Sequence, residues 1–368
     1  MNSDLTAKIN EIQFPNEIDT IDSIMDGYKY YQMVSVALKL GIFEKMDELG
    51  SSSPREIAEA ISLNGMFIKS ILSTLKDMGF VKSDEEGYTL TKPAKSFFSK
   101  KSPFYQGDLI LSVGKTGSQW NNLEALLQRK RSSKPISVET DENQIRSLAQ
   151  QSIRGEVQSV IQGMLSRPEF LEYKYLLDIG GSHGLYSVGL CQENNALSAT
   201  ILEQEDIIPF TSSIVSEYDM NERIKVEKGS IENLSGDLSH GYDIIIVSHF
   251  LYKYRRELNE VLEKIVDMLN PGGTLILNHR FCSPNCEIKP GAGVREIDRA
   301  LTSFGHPLCH PEGLKDVLES LGFVNISLIP HETALGYAVL CVGTKETKKI
   351  KQTSEEKVVH DYGENRCC

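Results

Sequence analysis

The run Leu176-Leu177-Asp178-Ile179-Gly180-Gly181-Ser182-His183-Gly184 is a short apolar segment that ends in a glycine-rich turn. In an open α/β sheet such a turn lies at the carboxyl edge of a buried strand, where glycines let the backbone approach a ligand closely. Glu203 ends the next apolar run, at the separation where nucleotide-binding folds place a carboxylate that accepts hydrogen bonds from both ribose hydroxyls. Alone, the loop is a tight strand-to-helix turn and the acid a solvated strand end; in register with each other they define a nucleotide site. Candidate proton-transfer groups lie further on, at His249 after the run YDIIIVSHF and at His306 and His310 on a later loop. Imidazole titrates in the useful range, although a histidine at a strand end also serves to satisfy a buried hydrogen bond. His306, Cys309 and His310, with Cys282 and Cys286 upstream, match no standard zinc spacing, and no metal is expected.

The elements that must position these residues fall into two textures. From Ile21 to about Gly41, Ile24, Tyr28, Tyr31, Val34, Ala37 and Leu38 recur at helical spacing and predict one amphipathic helix. SSPREIAEAISL and NGMFIKSILSTLKDMGF predict two capped helices, and FVKSDEEGYTLT a hairpin turning at Asp-Glu-Glu-Gly. Helix, helix and wing is a winged-helix pattern, which raises DNA binding. The would-be recognition helix offers only Lys69 and Lys76 among Met66, Phe67, Ile68, Ile71, Leu72 and Leu75, so it suits packing against protein. Helical patterns continue from Phe97 to about Tyr173, past Trp120; the basic cluster Arg129, Lys130 and Arg131 suits an exposed helix end.

From Tyr175 short apolar runs alternate with amphipathic helices: YLLDIG, ATILEQ, IKVEKGS, YDIIIVSHF, GGTLILNHR, VNISLI and YAVLCVG. That rhythm predicts a doubly wound α/β domain with a mostly parallel seven-stranded sheet, its last two strands an antiparallel hairpin. The expected divisions are a helical, winged-helix domain at 1–100, a helical linker that lines the substrate at 101–172, the Rossmann-like domain at 173–345 and a charged tail at 346–368. Thirty-nine basic against 51 acidic residues give a net charge of −12, which argues against nucleic acid and anionic lipid as partners. The N-terminus lacks a signal-peptide pattern, no stretch is long enough to span a bilayer, and the seven cysteines show no disulfide framework. Cytoplasmic localisation is expected, with Cys367 and Cys368 inert.

With these landmarks, from about Ile21 to Lys345, the chain resembles the plant-type small-molecule O-methyltransferase family. DIGGSHG, the acid at Glu203, GSIEN, YDIIIVSHFLYKY, the NPGG turn at Asn270 to Gly273 and LESLGF carry the resemblance. It implies a class I methyltransferase using S-adenosylmethionine, with an N-terminal winged-helix dimerisation domain and hence a homodimer. Asp178, Gly180, Gly181, Gly184 and Glu203 would bind the cofactor with Ser248, while Gly229, Ser230 and Ile231 would lie against the adenine. The family usually has an acid where this chain has Ser230. Trp120, Met164, Tyr252 and His306 would line the acceptor site, as would Phe104; as packing residues, Trp120 and Met164 are equally well explained by a core.

The catalytic pattern departs from the family. Where the family writes Leu-His-Asp-Trp, its histidine the general base for a phenolic hydroxyl, this chain has Leu251-Tyr252-Lys253-Tyr254. The acid that orients that histidine aligns near Leu308. A phenol with a solution pKa of about 10 is a poor base at neutral pH. The resemblance therefore implies transfer without the usual histidine base, to a sulfur, carbon or oxygen of a small molecule, with Tyr252 and His249 facing the transferable methyl. Leu251-Tyr252 and the GAGV at Gly291 to Val294 are similar to the carbon-methylating branch. Two alternatives stand beside this: methylation of a protein cysteine, and a cofactor-binding member that catalyses a reaction other than methylation.

Overall fold

The computed structural model divides into two compact units, residues 1–111 and 112–368. The structure describes residues 9–11, 15–128, 140–232, 241–282, 287–303, 305, 307–308 and 310–347. The basic cluster at 129–131, Cys286, His306, Cys309 and the tail from 348 lie outside these described residues.

The first unit holds α1 (Ile18–Lys39), α2 (Ile42–Leu49), α3 (Pro54–Ala60), α4 (Gly65–Asp77), the hairpin β1 (Val81–Ser83) and β2 (Tyr88–Leu90), and α5 (Lys92–Phe98). Local chemistry sets the helix starts. Ser53 Oγ accepts from the Glu56 N–H while Glu56 accepts from the Ser53 N–H at 2.8 Å, and Pro54 supplies a first-turn residue that needs no N–H partner. Asn64 caps α4 through the Met66 N–H at 3.1 Å. Ile68, Ile71, Leu72 and Leu75 turn one face of α4 into the core, leaving Met66 and Phe67 exposed. The greasy stripe expected along α1 is only partly covered in this unit. Val34, Ala37 and Leu38 are buried, but Ile24 and Tyr28 are 68% and 65% exposed.

The boundary falls within α6 (Gly107–Val113), and the second unit continues with α7 (Leu123–Leu127), α8 (Glu142–Ser152) and α9 (Glu156–Leu165). The sheet comprises β3 (Tyr175–Ile179), β4 (Ser198–Glu203), β5 (Ile224–Lys228), β6 (Tyr242–Ser248), β7 (Leu269–Arg280), β8 (Phe323–Thr333) and β9 (Gly336–Lys345). Between them run α10 (Leu185–Glu193), α11 (Ile208–Glu217), α12 (Leu258–Met268), α13 (Gly293–Thr302) and α14 (Pro311–Ser320). The strand order is β5-β4-β3-β6-β7-β9-β8, parallel from β5 to β7 and antiparallel at β9 and β8. The expected NPGG turn is an irregularity at the start of β7: pairing with β6 jumps from Tyr242↔Leu269 to Ile244↔Thr274.

Each sheet face carries its own apolar layer. Leu275, Leu277, Val339 and Cys341 face α12 and α14, whereas Ile276, Leu340 and Val342 face α9 and α10 with Val160, Met164 and Leu190. Because strand side chains alternate, Asn278 and Arg280 continue the second set at the end of β7, and His279 the first. The strand order reverses direction between β3 and β6, which places the carboxyl ends of β3, β4 and β6 around one crevice.

Candidate active site

Gly180 and Gly184 adopt φ of +68° and +71°, a left-handed backbone that a side chain would strain. A Cβ on Gly180 would lie 2.6 Å from the Phe250 ring, and one on Gly181 would lie 2.7 Å from Asp178 Cγ. The loop thus requires glycine for its path and for its neighbours. Beneath it Asp178 is fully buried; its Oδ2 accepts from Ser187 Oγ at 2.8 Å while Oδ1 has no hydrogen-bond partner among the described residues. Burial, aided by the charge of Glu203, pushes Asp178 up to about 7 against the pull of the Ser187 bond.

Glu203 Oε1 accepts from the Ser182 N–H at 2.9 Å and Oε2 from the Gln204 N–H at 2.8 Å. Each oxygen keeps a second lone pair for a diol hydroxyl. Burial raises this carboxyl above its ordinary range. The Gly229 N–H donates to the Glu203 carbonyl at 3.0 Å, which fixes Gly229, Ser230 and the buried Ile231 beside the acid. The glycine cradle, the orphaned Asp178 Oδ1 and the paired lone pairs of Glu203 fit an adenosyl amino acid.

At the carboxyl end of β6 the chain turns at His249, whose φ is +52°. Its Nδ1 lies 2.8 Å from Tyr252 Oη, and its Nε2 contacts Glu156 Oε1. Tyr252 is fully buried, and its oxygen also accepts the Arg280 backbone N–H at 2.7 Å. Nε2 faces the Glu156 carboxylate and so carries the ring proton, which in a neutral imidazole leaves Nδ1 to accept from the Tyr252 hydroxyl. Burial alone would favour a neutral acid at Glu156, but His249 and Arg280, with the Tyr186 hydroxyl at 2.8 Å, hold it well below the usual carboxylate range. Burial likewise lowers His249, so the pair stands as carboxylate and neutral imidazole. Burial pushes the Tyr252 phenol up to about 12. Asn278 completes the group by donating to Glu156 Oε1 at 2.7 Å and to Ser248 Oγ at 3.0 Å.

Other expected residues fall elsewhere. Met164 is fully buried in the apolar layer under the sheet, a core position and not an exposed lining. Trp120 is half-buried, with its indole N–H donating to Asp298 at 2.6 Å. Phe104 belongs to the first unit and is exposed. Leu308, aligned with the family's orienting acid, is a buried apolar residue bridged to Phe281. The acid that touches the histidine is instead Glu156, which sequence reasoning passed over. A signal was available: Glu156 shares a helix face with Val160 and Met164, at spacings of four. A charge on a buried stripe needs a partner. Among the described residues no cluster of metal-ligating side chains occurs, and no helix is long and apolar enough to cross a membrane.

The order of strands and the carboxylate-ended β4 beside a glycine loop define the class of S-adenosylmethionine-dependent methyltransferases. Comparison with known proteins agrees. Residues 23–100 match the family model of the O-methyltransferase dimerisation domain. An uncharacterized protein of Methanocaldococcus jannaschii is 24% identical over 86% of this chain and 86% of its own. Bacteriochlorophyllide d C-20 methyltransferase of Chlorobaculum tepidum is 20% identical over 83% of this chain and 91% of its own. In fold, human N-acetylserotonin methyltransferase in complex with SAM superposes with a TM-score of 0.72 at 15% identity, covering 91% of this chain and 99% of that one. Residues 23–100 thus carry an O-methyltransferase dimerisation domain, and the chain as a whole is similar to S-adenosylmethionine-dependent methyltransferases.

Proposed function

We propose that the second unit transfers a methyl group from S-adenosylmethionine to a small-molecule acceptor that brings its own nucleophile, and that the first unit pairs two copies of the chain. Asp178, Gly180, Gly181, Gly184, Glu203, Gly229, Ser230, Ile231 and Ser248 hold the cofactor, whose sulfonium supplies an electrophilic methyl group when bound. One observation carries the reading of the acceptor: the hydrogen-bond chain from Glu156 through His249 to Tyr252 and the Arg280 N–H is closed. Both imidazole nitrogens are engaged, and the phenol is buried with its proton committed. Neither group is free to take a proton from an incoming hydroxyl, so Tyr252 positions His249 and is not itself a base. His249 forms a wall of the site.

Attack on a sulfonium methyl needs in-line alignment more than acid or base help, provided that the acceptor is already nucleophilic. An electron-rich carbon of a conjugated ring meets that condition: its bond to the methyl would form as the methyl–sulfur bond breaks, and the ring proton would then be released to water. Similarity to a relative named for methylation at C-20 supports a carbon acceptor. The test incubates the purified chain with methyl-labelled donor and, separately, electron-rich heteroaromatics, phenols, thiols and proteins. Label on a ring carbon is the expected outcome. Label in a thiol or a polypeptide would move the attacked atom, and turnover of an acceptor with no label transfer would overturn methylation itself.

A further inference from the structure

Arg280 ends β7 at the same sheet edge, and it is 6% exposed. Its Nη1 donates to Thr302 Oγ1 at 2.8 Å, while its Nε is buried with no hydrogen-bond partner among the described residues. A guanidinium removed from water calls for an anion. Two carboxylates lie within its electrostatic reach, Glu156 and Asp298. Glu156 accepts from His249, Tyr186 and Asn278 through Oε1, and Asp298 accepts from Trp120 through Oδ1. Neither forms a hydrogen bond to the guanidinium among the described residues.

A second orphan stands in the same row. Strand register aligns Arg280 with Ala338 on β9, and Ala338 with His331 on β8. Residues aligned across neighbouring strands share a face, about 4.8 Å apart per strand. Arg280 and His331 therefore flank the fully buried Ala338 on one face of the sheet. Both ring nitrogens of His331 are buried and lack a hydrogen-bond partner among the described residues, and an imidazole always carries at least one N–H to donate. The row adjoins the site directly, since the Arg280 backbone N–H holds the Tyr252 hydroxyl.

We infer that Arg280 and His331 anchor a carboxylate of the methyl acceptor, so that the acceptor is a small conjugated acid held by its anionic end while its nucleophilic atom faces the cofactor. A carboxylate supplies the acceptor atoms that the planar guanidinium fork and the imidazole lack, and the fork orients it as well as binding it. The inference rests on the methyltransferase reading, and the experiment separates the two.

The full chain is first saturated with S-adenosylhomocysteine, whose binding tests the cofactor site alone. It is then titrated by calorimetry with 3-hydroxybenzoate, with its neutral counterpart 3-hydroxybenzamide, and with inorganic phosphate. The benzoate binds about tenfold more tightly than the benzamide, as expected for one buried charge-assisted pair. Arg280→Met removes that preference, Arg280→Lys restores part of it, and His331→Leu weakens the benzoate alone; the homocysteine product binds all variants equally, which certifies the fold. Equal binding of acid and amide, or a preference that survives Arg280→Met, overturns the anchor. Phosphate that binds as tightly as the benzoate overturns its role for an acceptor and leaves a general anion site. Failure to bind the homocysteine product overturns the cofactor reading instead.

Discussion

His249 carries a left-handed backbone that costs a non-glycine residue about 1–2 kcal/mol, and the bonds made by its two ring nitrogens offset that cost. Removing the Tyr252 hydroxyl tests how far they do. Tyr252→Phe leaves the Arg280 N–H and His249 Nδ1 unpaired in a buried setting, and should destabilise the chain by about 1–3 kcal/mol in urea titration. It should leave binding of the homocysteine product intact, because no cofactor-site residue bonds to the phenol. Asp178 makes a separate prediction. Its folded pKa of about 7 lies above the ordinary 3.8, so between those values the folded chain binds a proton that the unfolded chain has released. Stability contributed by the protonated group is present below pH 4 and is lost as pH rises through 7. The melting temperature should therefore fall between pH 5 and pH 8, and Asp178→Asn should flatten that slope; an unchanged slope counts against the assignment.

Among the elements, the glycine loop shows what pattern alone conveys. All seven strands, their hairpin ending, the loop and Glu203 were visible in the sequence, because alternation of apolar runs with helices and the punctuation by glycine are local signals. Glu156, Asn278 and Arg280 were not picked out, because their meaning comes from pairing across distant elements: α9 meets β6 and β7 only after the sheet forms. The placement of Met164 in the core has the same origin, since helical spacing names a buried face without saying what lies beneath it. The loop offers its own test. Gly181→Ala places a methyl 2.7 Å from both Asp178 Cγ and Ile201 Cγ2, two side chains that are themselves buried. Overpacking of this kind costs about 1–3 kcal/mol and displaces the loop. Binding of the homocysteine product should drop by at least about tenfold, whereas the neighbouring Ser182→Ala, which keeps its N–H to Glu203, should bind as the parent does.

At the scale of the whole molecule, the first unit leaves a stripe of apolar residues uncovered along one helix. Ile21, Ile24, Met25 and Tyr28 of α1 are 50%, 68%, 46% and 65% exposed, and their spacing puts them on one side of the helix. Contiguous exposed apolar surface is uncommon on a monomer and marks an interaction site. The dimerisation model spans 23–100 and includes most of this stripe. A net charge of −12 sets two copies against each other at long range, so association must come from short-range burial, and it should persist or strengthen as salt screens the repulsion. Ile24→Asp with Tyr28→Asp places two charges on the stripe without touching the buried Val34, Ala37 and Leu38 that anchor α1. Sedimentation should then change from two chains to one while binding of the homocysteine product, proposed above for the second unit, is retained. A double variant that still sediments as a pair would show that the first unit associates through some other face.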